Sequence, residues 1–196
     1  MFGKSLEEKR EYIAKIAGDV FFSKGYKESS LQDISVKGNI SKAGIYHYFK
    51  TKEDILAYIL FNYTELGIKA LKDCLKENNN NGLDATESAV ELIKTYAGYL
   101  LKNRKNSRLV LRDRHQLGQK NRKILSLQER AIFVLFKNEL KKMPNVKTKL
   151  NLNLVSFQII SMIHWMGYWF KDNGDLTQAE AINQGIDLFF NGILDN

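Results

Sequence analysis

A Ser, Thr or Asp followed three residues later by an acid recurs along the 196-residue chain, at Ser5–Glu8, Ser30–Asp33, Thr51–Asp54, Asp84–Glu87 and Thr177–Glu180. Each such pair is a helix start. The cap oxygen accepts from an orphan backbone N–H, and the acid sits at the positive end of the helix dipole. Between these starts the apolar spacing is helical: Ile13, Ile16, Ala17, Val20 and Phe21 form one stripe, and Ile182, Ile186, Phe189, Phe190 and Ile193 form another. No segment longer than a few residues alternates with period two, and the chain's single proline leaves helices little interrupted. The chain therefore reads as all-α, with helices predicted over 5–24, 30–37, 41–48, 52–77, 84–103, 106–116, 119–143, 151–172 and 177–194. Breaks are expected at Gly25, Gly38-Asn39, Asn78–Gly82, Gly118, Met143-Pro144 and Asn173-Gly174. The first three helices have the shortest connections, which predicts a small N-terminal module at 1–50 and a larger helical body at 51–196.

Composition removes several classes of function. An apolar content of 44% supplies a sizeable core and excludes global disorder. The single cysteine, Cys74, makes no internal disulfide, so a reducing cytoplasm is the expected location. Without a CxxC or Cys/His cluster, and with His115 and His164 each standing alone, neither metal nor cofactor is expected. Residues 1–10 hold charges around Leu6 and no apolar run, unlike a secretory leader. The stretch Leu154–Phe170 is 17 residues long and broken by Ser156, Gln158, Ser161 and His164, which suits a buried helix better than a membrane span. GxSxG, HExxH, a phosphate-cradling glycine loop and a motif-placed Cys–His pair are all missing, so the chain is not read as an enzyme.

Charge is sorted unevenly. Residues 102–123 hold nine Lys and Arg against one acid, whereas 150–196 hold one against five. Within the N-terminal module no acid lies between Ile34 and Lys52, where Lys37, Lys42 and Lys50 all fall. The same stretch, SLQDISVKGNISKAGIYHYF at 30–49, reads as two short helices joined by a Gly-Asn turn, the helix-turn-helix pattern. At ~100° per residue the second helix has two sides. Ile45, Tyr48 and Phe49 share an inward arc; Lys42, Ala43, Tyr46 and His47 share the opposite one, with Gly44 at its edge. The outward arc offers a duplex a small residue for close approach, a phenol and an imidazole for hydrogen bonding, and a lysine for phosphate.

The segment Phe22–Leu56 strongly resembles the DNA-binding domain of the tetracycline-repressor (TetR) family of transcriptional regulators, through Phe22, Gly25, Tyr26, Ile34, Ile40, Ser41, Ile45, Tyr46, Tyr48, Phe49, Lys52 and Leu56. It departs from that pattern at Gly38, Asn39 and Ala43, where alanine, glycine and glycine are usual. The resemblance implies that Ser29 and Ser30 touch backbone phosphate. It places Ser41, Lys42, Tyr46 and His47 at phosphate or groove, Ala43 and Gly44 nearest base edges, and Lys52 on a phosphate from the next helix start, and Lys37, from the acid-free basic run, is a further candidate DNA contact. Tyr48 and Phe49 are expected in the core.

One such module reads too few bases for useful specificity, and dimers bind two half-sites about one DNA turn apart. The apolar helix 151–172, with 177–194, is the expected homodimer surface. Tyr96, Tyr99, Phe133, Trp165 and Trp169 are candidate ligand-pocket residues or plain core; Arg108 and Arg112, in the basic block, are candidate partners for an anionic effector or part of a solvated face. The segments 115–142 and 164–194 more weakly resemble the C-terminal domains of TetR-type repressors of fatty-acid and sterol catabolism, through Trp165, Trp169, Phe170, Gly174, Leu176 and the Leu188–Gly192 segment. This second resemblance implies an acyl-CoA effector. The expected function is a DNA-binding regulator, a repressor released from a palindromic operator by a small molecule; the alternative is a helical ligand-binding or interaction protein without specific DNA binding.

Overall fold

In a computed structural model that describes residues 5–144 and 146–193, every regular element is a helix. In chain order these are α1 (Leu6–Lys24), α2 (Leu31–Gly38), α3 (Lys42–Tyr48), α4 (Lys52–Asn80), α5 (Ala85–Lys102), α6 (Arg104–Asp113), a 3-10 turn (Arg114–Gln116), α7 (Gln119–Lys142), α8 (Leu152–Trp169) and α9 (Gln178–Ile193). All five cap-and-acid pairs close. At the start of α1, for example, the Glu8 N–H donates to Ser5 Oγ at 3.1 Å and the Ser5 N–H to Glu8 Oε2 at 2.6 Å. The pairs at Ser30, Thr51, Asp84 and Thr177 have the same form. Breaks fall where the backbone turns left-handed, at Gly25 (φ 90°), Asn39 (φ 49°) and Gly82 (φ 68°). At Gly38, one of the departures noted above, a Cβ would lie 3.0 Å from the flexible end of the Ile40 side chain.

Three helices differ from expectation, the one predicted over 106–116 starting at Arg104 and giving way after Asp113 to the 3-10 turn Arg114–Gln116. Helix α4 runs through Asn78 to Asn80, because Asn78 is buried and its Nδ2 donates to the carbonyl and hydroxyl of Ser88 in α5. Helix α8 ends three residues early, at Trp169, with Phe170 as its C-cap.

Contacts group the described residues into two units. The body unit combines Thr64–Arg104 with the residues from Leu127 onward, and α5 packs against α8 and α9 at its centre. Its core includes Leu92, Ile93, Leu100, Phe136, Ile159 and Ile163. The head unit combines the residues up to Tyr63 with Lys105–Ser126. Residues 51–63 and 105–126 were expected in the body, and specific bonds explain their grouping with the head. Arg112 Nη2 donates to the Phe21 carbonyl and to Asp113, at 2.7 Å each, and Lys105 pairs with Asp19. The backbone N–H of Gly118 and the Asn121 side chain both donate to Glu53 Oε1, at 2.7 and 2.8 Å.

Candidate nucleic-acid interface

Helix α3 is the element that sorts its side chains most sharply. Ile45 and Phe49 are fully buried, and Phe49 packs edge-on to Tyr58 with Arg10 over both rings. On the opposite side Lys42, Ala43, Tyr46 and His47 are all exposed, Tyr46 to 47%. Tyr48, expected in the core, is only half-buried. It is the last helical residue and turns its ring onto the edge of His47. Ser41 caps the helix by accepting from the Gly44 N–H at 3.0 Å, and the first turn of α3 carries no acid. Gly44 is half-buried, and a Cβ there would lie 3.1 Å from Ile40 Cγ2 and 3.2 Å from Ser41 Oγ of the preceding turn.

The supporting residues divide into outward and inward groups. Ser30 is exposed at the start of α2, its hydroxyl bonded to Asp33, and Lys37 is exposed in the last turn of α2. Bonds from Lys24 and Ser30 hold the Asp33 carboxyl down at a pKa of about 2. Ser29 is buried, and its hydroxyl donates to the Tyr26 carbonyl at 2.7 Å. Lys52 also turns inward. Its ammonium donates to the carbonyls of Tyr26 and Ser29 at 2.7 Å each and reaches that of Lys27 at 3.4 Å, while sitting 4.4 Å from the centre of the Tyr26 ring. Burial pushes the Lys52 pKa down, partly opposed by Glu28 and Asp33. Ser29 and Lys52 thus brace the loop ahead of α2 against the start of α4, a role their resemblance to phosphate-contacting residues did not suggest.

The expected ligand residues fall in both contact units. Tyr96, Tyr99, Phe133, Trp165 and Trp169 lie in the body unit; Arg108 and Arg112 lie in the head unit. The Arg112 guanidinium is held by Asp113 and the Phe21 carbonyl, and Arg108 sits 6.0 Å over the Phe22 ring. Within the body, Tyr96 is buried, and its hydroxyl lies 3.3 Å from Nε2 of His164, a residue expected to stand alone. Burial lowers the His164 pKa to about 4 and leaves its Nδ1 buried with no hydrogen-bond partner. Burial likewise raises the Tyr99 pKa to about 12. Phe133 is half-buried, 4.6 Å from Phe157.

Trp165 and Trp169 are on the outside, 65% and 47% exposed, with Trp165 stacked on Tyr168. They continue a stripe along α8 through Leu154 and Phe157, all exposed, while Val155, Ile159, Ile163 and Met166 occupy the buried side. Among the described residues no group of His, Cys, Asp and Glu is placed to hold a metal, and no helix is long and apolar enough to cross a membrane.

Known proteins share both the pattern and the geometry. The family description "Bacterial regulatory proteins, tetR family" matches residues 13–59, and "Tetracyclin repressor-like, C-terminal domain" matches 82–193. The HTH-type transcriptional regulator YuxN of Bacillus subtilis is 38% identical over 58 residues, 30% of this chain and 20% of that protein. The chain spans between 20% and 48% of the length of the curated relatives it matches. Among solved structures, AibR in complex with isovaleryl coenzyme A and operator DNA superposes with a TM-score of 0.81 at 19% identity, covering 92% of this chain and 97% of that one. FadR of Bacillus subtilis in complex with stearoyl-CoA gives 0.74 at 19% identity, covering 93% and 98%. With a helix-turn-helix, the capped starts and the C-terminal pattern all in place, the chain belongs to the tetracycline-repressor family of bacterial transcriptional regulators.

Proposed function

We propose that the protein is a dimeric repressor that lays α3 in the major groove of an operator and leaves it when an acyl-CoA binds the body. The observation that carries the DNA reading is the exposed arc of Lys42, Ala43, Tyr46 and His47 on a helix whose other side is anchored by Ile45 and Phe49. A rigid inner side fixes the orientation of the outer one, which is what base-edge contacts require. Ser30, Lys37 and Ser41 supply phosphate contacts around it.

The exposed stripe Leu154, Phe157, Trp165, Tyr168 and Trp169, with Leu188 of α9 at 79% exposure, is the dimer surface in this reading. A contiguous apolar stripe of this kind marks an interaction site, and two copies place two reading helices on one duplex. The effector enters the body near Tyr96, Tyr99, Phe133 and His164, where aromatic surface is combined with polar tips. The acyl-CoA chemistry is supported by the ligands that AibR and FadR carry. A coupling of ~1–3 kcal/mol between effector and DNA changes affinity roughly 5- to 150-fold. Helix α4 belongs covalently to both units and is the natural carrier of that coupling.

The test is a gel shift with the protein's own upstream intergenic DNA at two salt concentrations, followed by titration of long-chain and short-chain acyl-CoAs into the complex. Specific binding that weakens steeply with salt, and release by an acyl-CoA but not by free CoA or fatty acid, is the expected result. Absence of specific binding contradicts the DNA reading, and unchanged affinity with every thioester contradicts the effector.

A further inference from the structure

The basic block at 102–123 is not one surface. Lys105 is paired with Asp19, Arg112 with Asp113, and Arg114 reaches Ser126, so these cations, though at the surface, already have partners within the head unit. Lys120, Arg122 and Lys123, in the first turns of α7, are exposed, and none of them makes an ion pair among the described residues. No acid occurs between Asp113 and Glu129 to offset them.

Their position follows from two neighbouring side chains. Lys52 ties the start of α4 to the Ser29 carbonyl, beside the exposed cap Ser30 of α2. Glu53, the next residue, accepts from the Gly118 N–H and the Asn121 side chain and so ties the start of α7 to the same place. The space between Glu53 and Gly118 is tight, since a Cβ on Gly118 would lie 3.2 Å from the carboxylate. Three helix starts are thus bonded to one another in the unit that holds α3, and exposed Lys50 follows the buried C-cap Phe49 of that helix.

Building on the DNA-binding reading, we propose that Lys120, Arg122 and Lys123 form a second DNA contact that grips operator phosphates without reading bases. An extended polyanion suits cations displayed openly on a surface, whereas a small anionic effector is held by enclosure, with most of its surface buried. These three residues stand in the open, in the head unit; the aromatic residues of the proposed effector site are in the body unit.

The test compares full-length protein with the variant Lys120→Gln/Arg122→Gln/Lys123→Gln, by fluorescence anisotropy on the upstream intergenic duplex and on an unrelated duplex of equal length. Removing one phosphate contact lowers the salt slope by about 0.9, so a dimer's slope falls by about 2 if only one of the three contacts per subunit is made and by about 5 if all are. The fall in affinity between 50 and 200 mM salt then shrinks by about tenfold or more. Affinity at low salt falls for both duplexes alike, leaving the specificity ratio intact, and Lys120→Arg/Lys123→Arg retains wild-type binding. The variant Lys76→Gln/Lys141→Gln/Lys149→Gln removes the same charge from exposed positions in the body unit and leaves the slope unchanged. An unaltered slope in the first variant, an equal change in the body variant, or loss of effector release with normal DNA binding would each overturn the proposal while sparing the DNA reading. Failure of the wild-type protein to bind DNA in a salt-sensitive way overturns both.

Discussion

Replacing Lys52 with methionine distinguishes a brace from a phosphate anchor. The substitution keeps the stem of the side chain and removes the ammonium, leaving the carbonyls of Tyr26 and Ser29 without the donors that sit 2.7 Å away. A hydrogen bond to a charged group contributes about 1.5–3 kcal/mol net. Two such bonds disappear, but the site is partly open and water replaces some of what is removed. A loss of about 2–3 kcal/mol is therefore expected, with a smaller cation–π contribution from Tyr26 on top. The assay pairs urea unfolding with the salt dependence of DNA binding well below the unfolding midpoint. A brace predicts a lower midpoint and an unchanged salt slope. A phosphate anchor predicts the reverse, with unchanged unfolding and a slope lower by about 2 for a dimer, and that result would refute the reasoning.

Acid should find His164. Its pKa falls from 6.5 to about 4 on folding, so its contribution is complete above pH 6.5 and is lost as pH drops toward 4; about 3 kcal/mol is at stake. His164→Gln should flatten that part of the stability profile in urea titrations at pH 7 and pH 5, and an equal acid loss in both proteins would exclude His164 as the cause. Trp165→Ala withdraws the most exposed indole of the α8 stripe. With 65% of its surface open in one subunit, at most about 4 kcal/mol of burial per subunit is removed. Sedimentation should show dissociation to monomers with subunit folding intact, and an unchanged dimer constant counts against the α8 surface. Asn78→Ala leaves the Ser88 groups unpaired in a buried site and should lower stability by about 1–3 kcal/mol in chemical denaturation, with DNA affinity retained.

The helices and the exposed arc of α3 were legible in the sequence because both are local. A cap oxygen and its acid are three residues apart, and the exposure of Lys42, Ala43, Tyr46 and His47 follows from the turn angle once Ile45 and Phe49 are taken as core. The grouping of 105–126 with the head was not legible. It rests on carboxylate-to-backbone and guanidinium-to-carbonyl bonds between residues 65 and 91 positions apart, for which no spacing rule exists. The inward bonds of Lys52 and Ser29 were not legible for a related reason: a lysine or serine near a helix start looks the same in sequence whether it faces phosphate or a carbonyl behind it. The exposure of Trp165 and Trp169 was not legible because an apolar side chain that ends at the surface looks the same in sequence as one in an interior. Asn78, a turn residue by composition, became helical because a buried partner in α5 outweighed its local preference.

Hydroxyl-radical footprinting of the upstream intergenic duplex, with wild type and with Lys42→Ala/Tyr46→Ala, tests the central claim most directly. Wild-type protein should protect two patches on one side of the duplex, spaced by about one helical turn or a multiple of it. The double variant should lose both patches while unfolding at the wild-type temperature. Protection by the variant equal to wild type would contradict the assignment of α3 as the reading helix.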